Sequence, residues 1–198
     1  MTIPIRVLGF AGSLREGSYN RAALRAAADL MPDGGVLEAF DLAGIPLYNG
    51  DVEARGLPPS VQQLQGAIRA ADALLIVTPE YNSSIPGVLK NALDWASRPP
   101  SDAPLRGKPV AIMGASMGGF GTVRAQLHLR QICVNTEMLP LNKPEVFISA
   151  AQDKFDGEGR LVDERTRQSI RALLQALLVW TRRLQGSGTG DGAERQGQ

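Results

Sequence analysis

Residues 12–20 (GSLREGSYN) carry side chains of the types that hold a phosphate group in proteins. A guanidinium group can grip two phosphate oxygens at once, and hydroxyl and amide groups can complete the remaining hydrogen bonds. The two glycines of the segment let the backbone turn tightly next to a ligand. The alternative is an ordinary strand-to-helix turn in which Asn20 caps the helix. The candidate phosphate ligands are Ser13, Arg15, Ser18 and Asn20.

Residues 78–87 (TPEYNSSIPG) have a different chemistry, suited to a flat ring with hydrogen-bonding edges. Pro79 follows a run that is typical of a buried strand. We expect the backbone N–H and C=O groups of Glu80, Tyr81 and Asn82 to be unpaired by any helix. Such groups match the alternating acceptors and donor on the pyrimidine edge of a flavin, and the Tyr81 ring would line the pocket. The alternative is a proline-rich turn with a surface tyrosine.

Residues 114–121 (GASMGGFG) follow another predicted strand and are rich in glycine. A backbone with few side chains would let a flat ligand lie against it, although a flexible strand-to-helix connection is the alternative. In a flavodoxin-like strand order, the loops after the first, third and fourth strands meet at one edge of the sheet. The three segments together therefore predict a mononucleotide site, with FMN as the expected ligand.

Short apolar runs alternate with longer amphipathic stretches, a pattern typical of βαβ units around a parallel sheet. We predict strands at residues 5–11, 36–40, 73–77, 110–115 and 146–149. We predict helices at residues 20–31, 60–71, 86–97, 122–134 and 163–184, with a long loop at 42–59. The expected architecture is one doubly wound α/β domain over residues 1–185. A polar, glycine-rich tail over residues 186–198 is expected to be disordered.

The composition narrows the class of function. A formal net charge of +1 over 198 residues gives no reason to expect a nucleic acid or an anionic membrane as partner. One cysteine excludes an internal disulfide or a CxxC motif, and one histidine offers no histidine-rich metal site. Neither a GxGxxG dinucleotide fingerprint nor a P-loop occurs. Arg6 interrupts the first apolar run, so we expect no signal peptide, a cytoplasmic protein and redox chemistry supplied by a bound cofactor.

The remaining candidates favour structural roles. Cys133 lies on an apolar part of its predicted helix, which favours a buried structural thiol. His128 has no serine or carboxylate partner in the sequence pattern, so no catalytic triad is expected. The helices predicted at 86–97 and 122–134 carry apolar residues on more than one side, which predicts a subunit partner. The alternative is that these helices are sandwiched within the domain.

The three segments resemble the NADPH-dependent FMN reductase family of flavodoxin-like proteins, which includes bacterial quinone, chromate and azo-dye reductases. The resemblance rests on residues 12–15 with Ser18 and Asn20, on residues 79–82 and on residues 84–95 (SIPGVLKNALDW). It implies a flavodoxin-like three-layer sandwich with a five-stranded parallel sheet, order 2-1-3-4-5, and helices on both faces. It also implies non-covalent FMN and a homodimer or homotetramer.

The resemblance further implies roles for individual residues. Arg124 and Glu145 would be the counterparts of charged residues that contribute to family tetramers. Ser83 differs from chromate-reducing relatives, in which a larger aromatic residue often follows the Pro-Glu-Tyr-Asn motif, and this difference leaves the electron acceptor open. The implied FMN contacts are Ser13, Arg15, Ser18 and Asn20 to the phosphate, Pro79, Glu80, Tyr81 and Asn82 to the isoalloxazine, and Ser116 and Gly118 on its other side.

The implied reaction is ping-pong. NADPH or NADH passes hydride to FMN and leaves, and a quinone, flavin, azo compound or metal oxyanion takes its place. No catalytic acid–base side chain is expected. The alternative is a flavodoxin-type electron carrier without NAD(P)H turnover of its own, but such carriers are usually strongly acidic and this chain is not. A flavin-free regulatory protein of the same fold is a further alternative.

Overall fold

The structure, a computed structural model, describes residues 3–187 and alternates strands with helices. The strands are β1 (Ile5–Ala11), β2 (Gly35–Phe40), β3 (Ala73–Val77), β4 (Pro109–Ala115), β5 (Leu139–Pro140) and β6 (Val146–Ile148). The helices are α1 (Tyr19–Asp29), α2 (Gly50–Glu53), α3 (Pro59–Ala70), α4 (Gly87–Ala96), α5 (Val123–Asn135) and α6 (Glu164–Ser187). No helix within residues 3–187 has the length and apolar character needed to cross a membrane.

The sheet has the order β2-β1-β3-β4, and its last position is shared by β5 and β6. Both short strands pair with β4, and every strand pairing is parallel. The flavodoxin-like order expected from the sequence is therefore confirmed. The single fifth strand predicted at 146–149 needs a correction, because β5 precedes it. A two-residue strand that includes Pro140 has too few backbone donors and too little periodicity to be recognised in sequence.

Helices cover both faces of the sheet, as a three-layer sandwich requires. Every residue of β3 is buried, and alternate side chains point to opposite faces. Leu75 packs in the layer formed with α1 and α6. Leu74 and Ile76 pack in the layer formed with α3, α4 and α5. Because both faces are covered, the strands read as continuous apolar runs, and this explains why residues 5–11 and 73–77 were predicted with the observed bounds.

Two regions predicted to lack regular structure are more ordered than expected. The long loop at 42–59 contains α2, and its Pro46 carbonyl oxygen accepts hydrogen bonds from Trp95 Nε1 (2.8 Å) and Asn91 Nδ2 (2.9 Å) of α4. The predicted tail begins too early, because α6 continues to Ser187. The rest of that prediction, residues 188–198, lies outside the described residues.

The two helices expected to need a subunit partner differ. Leu89, Leu93 and Trp95 of α4 are all buried within the chain, so the partner interpretation is wrong for this helix. The sheet covers one side of α4 and the 42–59 loop covers another. On α5, by contrast, Leu127 and Val134 remain 57% and 79% exposed. Only α5 keeps an uncovered apolar face of the kind that the sequence predicted.

Gly114, in β4, is expected to be irreplaceable because a Cβ there would lie 2.2 Å from the Thr78 carbonyl oxygen and 2.0 Å from Thr122 Oγ1. Gly114→Ala should lower the free energy of unfolding by about 3 kcal/mol, since backbone cannot move aside cheaply. Gly66→Ala is the matched control, because Gly66 lies in α3 with no atom near its Cβ position. It should raise the free energy of unfolding by about 0.5–1 kcal/mol. Urea denaturation measures both, and equal midpoints for the two variants would contradict this packing.

Candidate active site

Ser18 and Asn20 shape the loop between β1 and α1. Ser18 is the helix N-cap, and its Oγ accepts hydrogen bonds from the backbone N–H groups of Asn20 (3.2 Å) and Arg21 (3.4 Å). The Asn20 amide is buried and exchanges two hydrogen bonds with the backbone of Ala115, the last residue of β4. Asn20 Nδ2 donates to the Ala115 oxygen, and the Ala115 N–H donates to Oδ1, both at 2.8 Å. Sequence reasoning missed this bridge, which leaves one Nδ2 hydrogen for a ligand.

Ser13 and Arg15 keep donors available at the same end of the sheet. The Ser13 side chain is buried, and its hydroxyl has no hydrogen-bond partner among residues 3–187. Arg15 is exposed and donates a single hydrogen bond, to the carbonyl oxygen of Gly17 at 3.0 Å. The remaining guanidinium N–H groups and the Tyr19 N–H at the start of α1, which Ser18 does not cap, suit an anion at this position.

The segment after β3 forms a tighter turn than the sequence predicted. Tyr81 and Ser84 exchange backbone hydrogen bonds, N–H to O in both directions at 3.0 Å. Asn82 and Ser83 between them have φ of 50° and 62°, as in a type I′ turn. No helix pairs these groups, but the turn uses both backbone groups of Tyr81, which are therefore not available to the edge of a ring. The backbone groups of Glu80 and Asn82 have no partner in the described part of the chain.

The side chain of Glu80 is hydrogen-bonded to the first turn of α5. Its Oε2 accepts hydrogen bonds from the backbone N–H groups of Arg124 (3.0 Å) and Ala125 (3.2 Å), and its Oε1 accepts one from Arg124 Nε at 2.5 Å. Burial raises the pKa of the Glu80 carboxyl, but these bonds and the Arg124 charge outweigh it and hold the pKa below its ordinary value. Glu80 is therefore ionised at neutral pH and is not available as a proton donor.

The glycine-rich loop after β4 is braced from β6 and the residues that follow it. Ser116 donates its N–H to the Ile148 oxygen (2.9 Å), and its own carbonyl oxygen accepts from Ala151 N–H (3.0 Å). Ala150 N–H donates to the Gly118 oxygen at 3.3 Å. Backbone bonds at three points hold this loop, so the alternative of a merely flexible connection does not describe it.

The three loops enclose one cleft at the carboxyl edge of the sheet. The cleft brings together all of the predicted cofactor residues except Asn82 and Gly118. It also includes Tyr19, Ala115 and Met117, which the sequence analysis did not select. In the sequence, the one sign that these three residues line the cleft is that each stands next to a predicted site residue. The lining residues are Ser13, Arg15, Ser18, Tyr19, Asn20, Pro79, Glu80, Tyr81, Ala115, Ser116 and Met117.

The single cysteine and the single histidine have structural contacts. Cys133 is fully buried, and burial raises the pKa of its thiol to about 11, so the protonated, unreactive form predominates at neutral pH. His128 does have a serine partner, contrary to expectation, because its Nδ1 lies 3.0 Å from Ser84 Oγ. Sequence could not show this pair, because the fold brings together two residues that are 44 positions apart in the chain.

The charged residues expected at contacts between subunits make ion pairs within the chain. Arg124 pairs with Glu80, and Glu145 pairs with Lys143. Their contribution to a tetramer stays a prediction. Among residues 3–187, no three His, Cys, Asp or Glu side chains lie close enough together to hold a metal ion.

Comparisons with known proteins show which chains are similar to this one in sequence and fold. The sequence model of the NADPH-dependent FMN reductase family matches residues 5–153. An NAD(P)H-dependent FMN reductase of Pseudomonas aeruginosa is 60% identical over 186 residues, which are 94% of this chain and 100% of the relative. An NAD(P)H:quinone oxidoreductase of Solanum tuberosum is 46% identical, over 92% of this chain and 95% of the relative. The solved structure of FerB, an NAD(P)H:acceptor oxidoreductase from Paracoccus denitrificans, has a TM-score of 0.83 at 32% identity and covers 90% of this chain and 98% of its own.

Proposed function

Because this chain belongs to the NADPH-dependent FMN reductase family, we propose that it is an FMN-dependent oxidoreductase that takes hydride from NADPH or NADH. The acceptors are small molecules: quinones, flavins, azo compounds or metal oxyanions. The observation that carries the proposal is the cleft at which the loops after β1, β3 and β4 meet. The names of the relatives support it, since they describe FMN and quinone reductases.

The chemistry of the cleft fits FMN, whose two ends need different partners. At one end, the unpaired Ser13 hydroxyl, the Arg15 guanidinium and the start of α1 suit a phosphate. At the other end, the unpaired backbone groups of Glu80 suit the edge of a ring, and Asn82, whose backbone is also unpaired, follows the lining residue Tyr81 in the chain. In the proposal, FMN is held by Ser13, Arg15, Ser18 and Asn20 at its phosphate, by Pro79, Glu80, Tyr81 and Asn82 along its ring, and by Ser116 and Gly118 on the opposite side.

The role of the protein in this reaction is to bind and orient. Bound FMN supplies the redox chemistry by accepting hydride from a nicotinamide and giving it to an acceptor. The Glu80 carboxylate is ionised and bonded to the start of α5, and the Cys133 thiol is buried, so neither group moves a proton. Tyr81 and Met117 remain 49% and 65% exposed at the cleft. Donor and acceptor can use this open surface in turn, and its lack of shape restriction supports a broad range of acceptors.

We also propose a cytoplasmic homodimer or homotetramer of single-domain subunits. The cytoplasm is where reduced nicotinamides are available to such an enzyme. The exposed apolar side chains of Leu127 and Val134 on α5, together with Phe120 just before it, supply apolar area for a contact between subunits. Closed symmetric assemblies are the usual way in which such a surface is covered.

Arg15→Ala should weaken FMN binding about 10- to 100-fold, the usual loss for a hydrogen-bonded ion pair to a phosphate. Fluorescence titration of the protein stripped of flavin measures the Kd. Arg171→Ala removes an equally exposed arginine from α6 and serves as the control, with an unchanged Kd. Equal FMN affinity in the Arg15 and Arg171 variants would remove Arg15 from the phosphate site.

Initial rates of NADPH oxidation with a benzoquinone acceptor test the reaction itself. Because both substrates use the same open surface in turn, double-reciprocal plots at several quinone concentrations should be parallel. Intersecting lines would contradict the shared surface. The absence of quinone-dependent oxidation of both NADPH and NADH would contradict the proposed enzyme and favour an electron carrier.

A further inference from the structure

The first turn of α5 is capped by a residue from a distant loop. Its N-cap residue, Thr122, makes no cap hydrogen bond, and the Thr122 hydroxyl instead accepts a bond from Gln126 Nε2 at 3.1 Å. The N–H groups of Arg124 and Ala125, which a helix leaves unpaired at its start, are bonded by the Glu80 carboxylate. Glu80 is 44 positions away from Arg124 in the chain.

Glu80 belongs to one wall of the cleft and α5 adjoins the other. The Glu80 backbone lies in the segment whose unpaired groups suit the edge of a ring. The helix it caps begins directly after the 116–121 loop, which lines the cleft through Ser116 and Met117. One carboxylate therefore ties the two walls together. A second contact, from His128 to Ser84, lies one helical turn further along α5 and holds the last residue of the Tyr81–Ser84 turn.

The carboxylate is well suited to hold a fixed position. Its side chain is only 7% exposed, whereas the paired Arg124 side chain is 54% exposed. A carboxylate that has given up most of its water depends on its protein partners, so that displacing it is costly. The negative charge also matches the positive amino-terminal end of a helix, a preference that an uncharged side chain does not have.

We infer that Glu80 is a positioning residue for the cofactor: its charged cap on α5 sets the spacing between the two walls of the cleft. The inference rests on the proposed function in that FMN is taken to occupy this cleft. Its side chain therefore contributes to FMN binding without contacting FMN. The Arg124 side chain contributes less to this positioning, because the two backbone N–H groups that bond Glu80 do not need it.

Four variants test the inference: Glu80→Gln, Glu80→Ala, Arg124→Ala and the double variant Glu80→Ala/Arg124→Ala. The flavin-free protein is measured by hydrogen exchange at the Arg124 and Ala125 amides. FMN binding is measured by its Kd and by the visible circular dichroism of the bound flavin, which reports how the two walls surround the ring. Glu164→Gln is the matched control, because Glu164 is an exposed carboxylate at the start of α6 that pairs with Arg167.

The expected result is that Glu80→Ala exchanges the two amides about 10-fold faster or more, since it removes their acceptor, whereas Glu80→Gln keeps an acceptor oxygen but loses the charge and should exchange them faster by a smaller factor. Both should bind FMN about 10-fold more weakly or worse and change its circular dichroism. Arg124→Ala should fold with the cap in place and raise the Kd less. The double variant should be no worse than Glu80→Ala, because both substitutions act through one contact. The control should match the unsubstituted protein.

Faster amide exchange with unchanged FMN affinity and circular dichroism in Glu80→Gln would overturn the inference, since the cap would then serve α5 alone. If Arg124→Ala raised the Kd for FMN as much as Glu80→Ala, the inference would also be overturned. The ion pair with Arg124, and not the cap on α5, would then set the spacing between the two walls. If the unsubstituted protein itself has no affinity for FMN, the proposed function fails and the inference fails with it. The amide exchange, measured without flavin, keeps these cases apart.

Discussion

Two hydrogen bonds between the Asn20 amide and the backbone of Ala115 hold the start of α1 against the end of β4. The bridge lies at the carboxyl edge of the sheet, where a doubly wound fold has its ligand-binding crevice. It satisfies two buried backbone groups at once, and leaving them unpaired would cost about 1–3 kcal/mol each. The bridge fixes the start of α1 relative to the loop after β4, and both of these line the cleft. Two other side chains also hold helix ends at the cleft: Glu80 caps the start of α5, and Ser18 caps the start of α1.

Several polar side chains near the cleft are thus occupied with the protein itself. Asn20 and Glu80 use most of their hydrogen-bonding capacity on backbone groups of the protein. What remains for a ligand is mainly backbone, the Ser13 hydroxyl and the Arg15 guanidinium. A site of this kind orients a cofactor and leaves the reaction to it, which agrees with membership of a family of FMN reductases.

The sequence predicted the elements whose pattern is local. The buried strands Ile5–Ala11 and Ala73–Val77 were predicted with the observed bounds because both faces of the sheet are covered and their apolar runs are unbroken. The family motifs also selected most of the residues that line the cleft. Sequence did not predict β5, whose two residues have no periodicity. A proline-rich turn was the alternative for residues 78–87, but the two-residue turn that pairs Tyr81 with Ser84 was not predicted, because Asn-Ser is a weaker turn signal than Asn-Gly. The contact of Glu80 with α5 also escaped prediction, since a side chain that caps a helix 44 positions away leaves no local pattern.

The proposed function requires that FMN binds in this cleft and is reduced there by a nicotinamide. The visible absorbance spectrum of the purified protein, supplied with FMN where needed and recorded before and after anaerobic addition of NADPH or NADH, tests both requirements together. We expect bound-flavin absorbance bands that disappear when at least one of the two nicotinamides is added. Bands that persist with both would mean that FMN is bound but not reduced, as in an electron carrier. A protein that stays colourless after incubation with FMN would contradict the assignment of the cleft itself.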